Sequence, residues 1–153
     1  MQKVEQIISY IKENKIYEAQ KLVIKNFKDK PGMFYYYLGL INLKKEDYLS
    51  AIVCLKTARK NNIHSYLVSY NLSICYMFLK QNDFAKNELV ESIKLNPEYL
   101  NSYSNLCNIF LQENDIQKAY RTIKYGQACN KENKDKLNKL IDIEKKFHLK
   151  KYI

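Results

Sequence analysis

The stretch "YYYLGLINLKKEDYLSAIVCLKTARK", Tyr35 to Lys60, decides the fold. It opens on an apolar run that contains a glycine, Gly39. It then passes through the polar cluster "KKED" into a second run, with Ala51, Leu55 and Ala58 at i, i+4 and i+7. That spacing is one face of an α-helix. The polar cluster suits a tight turn between two helices. Glycine inside a helix costs roughly 1 kcal/mol relative to alanine, so Gly39 must gain something by packing. Close approach of the two helices supplies that gain, and Gly39 and Ala51 are expected to face each other where the backbones meet.

The same pattern recurs along the chain. The anchoring alanines are Ala19, Ala51, Ala85 and Ala119, spaced by 32, 34 and 34 residues. The pairs Leu38-Gly39, Leu72-Ser73 and Leu106-Cys107 each place a small residue 12 positions before its alanine. Asn42, Tyr76 and Phe110 follow three residues later. Self-similarity at a fixed period of this size marks a repeat array. The clusters "KQND" and "QEND" repeat the turn, while "KDKPG", "NNIHS" and "LNPEY" separate one pair from the next. Pro31 and Pro97 sit where a helix should stop. Asp83-Phe84 comes two residues late relative to Asp47-Tyr48, which predicts a longer first helix in that pair.

The Leu-small pairs, the anchoring alanines and "KLNP" at Lys94–Pro97 resemble the tetratricopeptide repeat family over roughly residues 32 to 131. The expected fold is all-α, a right-handed superhelix of antiparallel helix pairs within one domain. Residues 1–31 form a degenerate repeat, since Ala19, Val23 and Pro31 fit but no Leu-Gly pair precedes them. Repeats span 32–65, 66–99 and 100–131, and 132–153 is a capping helix with Leu137, Leu140, Ile141 and Phe147 on one stripe. A solenoid needs such a cap to shield its last core. Gly126 stands where a second helix of the family usually has alanine.

Composition narrows the function. At 153 residues and 46% hydrophobic, with three glycines and two prolines, the chain is too apolar for disorder. Net charge is +10, carried by 24 Lys against 2 Arg beside 16 Asn. A Lys-, Asn-, Ile- and Tyr-rich composition is what AT-rich coding produces, which accounts for much of that charge. Cys54, Cys75, Cys107 and Cys129 lie too far apart for CxxC zinc or redox pairs and read as buried free thiols. No signal peptide or membrane-length apolar run is visible, so a cytoplasmic protein is expected. His64 and His148 stand apart from any partner at metal spacing. There is no P-loop, HExxH, serine elbow or dinucleotide fingerprint. No enzyme, metal or cofactor is expected.

The resemblance implies a protein-binding scaffold whose first helices line a concave groove. Its lining here would be Met33, Tyr36, Leu40 and Leu43, then Leu67, Tyr70, Ile74 and Met77 beside Asn71, then Asn101, Ser104, Asn105, Asn108 and Gln112. Tyrosine and methionine suit adaptable contact, and asparagines can hold a peptide backbone. The bland alternatives are an aromatic stripe packed on the chain's own N-terminal unit or on a sister subunit, and solvated asparagines. The family members that clamp a chaperone's C-terminal carboxylate use lysines, an arginine and asparagines. Only Asn71 matches them, with Tyr36, Leu40, Asn101 and Asn105 at the other positions. Nucleic-acid binding is the rival reading from the charge and the fourteen tyrosines, and scarce arginine counts against it. Self-association is a third.

Overall fold

The computed structural model describes residues 2–146, which form nine α-helices and no strand. In order they are α1 (Gln2–Lys12), α2 (Ile16–Phe27), α3 (Pro31–Lys44), α4 (Tyr48–Lys60), α5 (Tyr66–Phe78), α6 (Asn82–Leu95), α7 (Leu100–Gln112), α8 (Ile116–Cys129) and α9 (Lys134–Lys146). Phe147 and His148 lie outside the described residues. Among those described, no helix is long and apolar enough to cross a membrane.

One turn recurs at the end of every first helix. Asn14, Glu46, Lys80 and Asn114 all adopt positive φ, between 58 and 61°. The N–H five residues beyond the start of each turn reaches back to close it: Lys15 to Tyr10 O, Asp47 to Asn42 O, Gln81 to Tyr76 O and Asp115 to Phe110 O, at 2.8–2.9 Å. A shorter bond runs inside each, such as Glu46 N–H to Leu43 O at 3.1 Å. This is the Schellman arrangement, which satisfies carbonyls the helix leaves unpaired. The spacing of the four turns, 32, 34 and 34, is that of the alanines. α5 therefore does not run long. It ends at Phe78 in register with α3, because Gln81 rather than Asp83 stands at the position of Asp47.

The chain divides into two compact units, one up to Gln81 and one from Asn82. In the first, Ile7, Ile11, Ala19, Val23, Tyr37 and Ile41 form a buried cluster, and Phe27 packs on Tyr37 with ring centroids 5.1 Å apart. Gly39 answers the question its helix raises, with one correction. A Cβ built on it would lie 2.8 Å from Leu55 Cγ and 2.9 Å from Leu55 Cδ2. The facing side chain is Leu55, one turn beyond the expected Ala51, and it is fully buried. The degenerate first pair solves the same problem by exchanging volumes. Ile7 and Val23 stand 32 residues before Gly39 and Leu55, and both are fully buried.

In the second unit α7 packs against α6 and α8, and α9 covers α8 and α7. Gly126 is buried against a ring: a Cβ there would lie 3.0 Å from Tyr103 Cδ1. The Tyr103 hydroxyl donates to Pro97 O at 2.8 Å, and Asn130 Nδ2 donates to the same carbonyl at 3.1 Å. Leu140 of α9 is fully buried, as the cap reading expects. Glu144 is buried as well, 3.2 Å from Lys124 Nζ and accepting from Gln127 Nε2 at 2.7 Å.

Candidate partner-binding face

The proposed face begins from register. Met33, Leu67 and Asn101 occupy one repeat position; Tyr36, Tyr70 and Ser104 a second; Leu40, Ile74 and Asn108 a third. Each is separated from the next by 34 residues. None is buried.

In the first unit α1, α3 and α5 are neighbours, with α3 touching both others. The α3 and α5 stripes, Leu43 and Met77 included, are half-buried, as is Asn71. Met33, Tyr36 and Leu40 lean on the N-terminal cluster, and Tyr36 meets Tyr37 edge-on at 5.3 Å. Part of the aromatic stripe is thus engaged with the chain's own first pair, one of the two bland readings.

In the second unit Asn101 and Gln112 are exposed, and Ser104, Asn105 and Asn108 half-buried. Asn101 Nδ2 donates to the Tyr99 hydroxyl at 3.3 Å. The α7 flank is polar where the α3 and α5 flanks are apolar.

Among the described residues no group of three or more His, Cys, Asp or Glu could hold a metal. His64 is exposed between α4 and α5. Burial pushes the Cys75 and Cys107 thiols up to about 11, so both stay protonated at neutral pH. Cys54 and Cys129 are half-buried, and Cys54 accepts a long hydrogen bond from Asn42 Nδ2 at 3.6 Å.

The second helices carry a feature the sequence reading passed over. Leu49 and Val53 of α4 and Tyr125 of α8 are 67%, 65% and 58% exposed. The available signal was spacing: Leu49 and Val53 follow i, i+4 on the flank opposite Ala51 and Leu55.

No protein-family model matches the sequence. The bovine (Bos taurus) protein "BBSome complex member BBS4" is 34% identical over 91 residues, 60% of this chain but 17% of that protein's length. Among solved structures, MamA superposes with a TM-score of 0.73 over 87% of this chain and 79% of that one, at 17% identity. YrrB, described as a TPR protein with an unusual peptide-binding site, superposes with a TM-score of 0.67 over 96% of this chain and 87% of that one, at 18% identity. With its helices in antiparallel pairs, one turn geometry at each 32- to 34-residue step and these structural matches, the chain has the tetratricopeptide-repeat solenoid fold.

Proposed function

We propose that the chain is a non-catalytic adaptor, cytoplasmic, that binds a peptide or helical segment of another protein on the exposed flank of its first helices. The observation that carries this is the half-buried apolar stripe of α5, Leu67, Tyr70, Ile74 and Met77, beside that of α3. Large apolar side chains that are neither core nor fully solvated gain by being covered. Tyr70 and Met77 are of the types enriched in such contacts. The α7 amides, Asn105 and Asn108 above all, supply hydrogen bonds to a backbone in the second unit. The BBSome membership of a partial relative and the peptide-binding site of a structural neighbour support a protein partner.

The test is affinity capture from a lysate of the source cells at low and moderate salt, analysed for protein and nucleic acid. Wild type runs beside Tyr36→Ala/Asn105→Ala and Asn105→Ala/Asn108→Ala. A protein retained at moderate salt and lost by both folded variants is the expected result. Bulk nucleic acid that washes off with salt, indifferent to the variants, overturns the reading.

A further inference from the structure

A second surface lies on the other side of α7 and does not depend on that reading. The flanks of α6 and α8 enclose a groove of about 390 Å³, within the ~300–1,000 Å³ range of ligand sites. Its floor is Ile93, Tyr103 and Leu106, 8%, 0% and 5% exposed. Val90 and Tyr125 line it and are exposed, although both are apolar. Lys94, Arg121 and Thr122 complete the lining, and among the described residues no carboxylate does.

Each part points to the same occupant. An apolar floor at the surface gains by being covered with apolar side chains. Arg121 is exposed, and among the described residues its guanidinium forms no salt bridge, its charge acting on Asp115 only at a distance. It is free to take a carboxylate bidentately, which lysine does not do. Lys94 stands 3.7 Å from Glu91, an exposed pair of little strength that an incoming carboxylate can replace. Tyrosine and arginine side by side are the residue types on which binding energy concentrates. Gly126 lets the Tyr103 ring of the floor pack close, since a Cβ there would lie 3.0 Å from Tyr103 Cδ1. A second copy of this chain is a poor occupant, because each carries +10.

We infer that the α6–α8 groove docks a short acidic segment of a partner protein, one or two bulky apolar side chains flanked by carboxylates. The apolar side chains cover Ile93 and Leu106 against Tyr125, and the carboxylates meet Arg121 and Lys94.

The probe is a fluorescein-labelled hexapeptide, Glu-Asp-Phe-Leu-Asp-Glu, with a counterpart carrying lysine at its four acidic positions. Anisotropy titration of the full chain at moderate salt should show saturable binding of the acidic peptide only. Arg121→Glu should weaken it at least tenfold and Tyr125→Ala several-fold, with circular dichroism unchanged. Tyr36→Ala/Asn105→Ala should leave it unchanged, which separates this groove from the first-helix face. The inference is overturned if neither peptide saturates, if both bind alike, or if the first-helix variant rather than Arg121→Glu abolishes binding. It is also overturned if sedimentation shows a dimer that Tyr125→Ala dissociates, which would make a second copy the occupant.

Discussion

Met33, Tyr36 and Leu40 of α3 and Leu67, Tyr70 and Ile74 of α5 are apolar, while the same repeat positions of α7 hold Asn101, Ser104 and Asn108. The buried positions show no such divergence. Leu55, Leu89 and Ile123 are all fully buried at 34-residue steps, and so are Gly39, Ser73 and Cys107. Packing between the helices of a pair holds the inner register within narrow volume limits. The outer flank is half-buried or exposed, with contacts such as Tyr36 on Tyr37 and Asn101 on Tyr99, so packing constrains its chemistry less than that of the inner register. On the proposed reading, the contrast between units is where recognition is written.

The largest expected effect comes from breaking the shared inner register. Gly39→Leu drives a branched side chain into Leu55, which has no exposed space to enter. Overpacking of a tight core typically costs about 1–3 kcal/mol, and this one should reach or exceed the upper end. Gly39→Ala should cost less, because alanine recovers roughly 1 kcal/mol of helix propensity. Urea denaturation of both variants checks the order. An unchanged midpoint for Gly39→Leu would mean that close approach does not explain the glycine.

That close approach was legible in the sequence, but its partner was not. Periodicity marks which residues are apolar without giving depth. Helical side chains lean towards the N-terminus, so a surface spot is covered by a residue further along the chain. Leu55 rather than Ala51 therefore covers Gly39. The turn before α6 departs from the spacing of its aspartate because the register is set by backbone hydrogen bonds, which Gln81 makes as well as Asp47 does. Buried Glu144 could not be foreseen, since Lys124 and Gln127 lie 20 and 17 residues earlier in the chain. The Met33–Leu40 and Leu67–Met77 stripes were legible because period and residue type sufficed.

Next comes an exchange of the outer flank. Tyr70→Ser/Ile74→Asn gives α5 the residues of α7. If the first unit supplies the apolar contact, capture of the partner should fall at least tenfold, about 1.4 kcal/mol. Both side chains are half-buried, so the fold should survive. Retention equal to wild type would place recognition elsewhere.

A smaller effect sharpens the comparison at the turns. Glu46 in the first unit and Asn114 in the second hold the same left-handed conformation, at φ 61° and 58°. Asparagine tolerates it far better than glutamate, and glycine adopts it without steric cost. Glu46→Gly should stabilise by about 1 kcal/mol and Asn114→Gly by much less. Thermal melts of the two variants check the difference. Equal gains would mean the Glu46 turn is no more strained than the Asn114 turn.

The smallest effect is a pH dependence at the second helices' first turns. Asp47 caps α4 by accepting from Ser50 N–H at 3.1 Å, and Asp115 caps α8 by accepting from Lys118 N–H at 3.0 Å. The Lys118 side chain, then its backbone N–H, holds the Asp115 carboxyl below its usual range, and the Ser50 side chain and N–H do the same for Asp47. A depressed carboxyl is protonated later in the folded chain than in the unfolded one. On acidification the unfolded state therefore binds the proton first, so stability rises with pH across that window. The contribution is complete above the unfolded value, about 3.9, and is lost as pH falls through the lower folded value. Asp115→Asn keeps a capping oxygen but removes the titration. Its stability from pH 5 downward, read by urea midpoints, should fall less steeply than wild type, with Asp47→Asn giving a weaker copy because Lys118 Nζ sits 2.6 Å from Asp115, whereas Lys45 acts on Asp47 only at a distance. Parallel pH curves for Asp115→Asn and wild type would remove the carboxylate from the account of α8 and leave the cap as geometry alone.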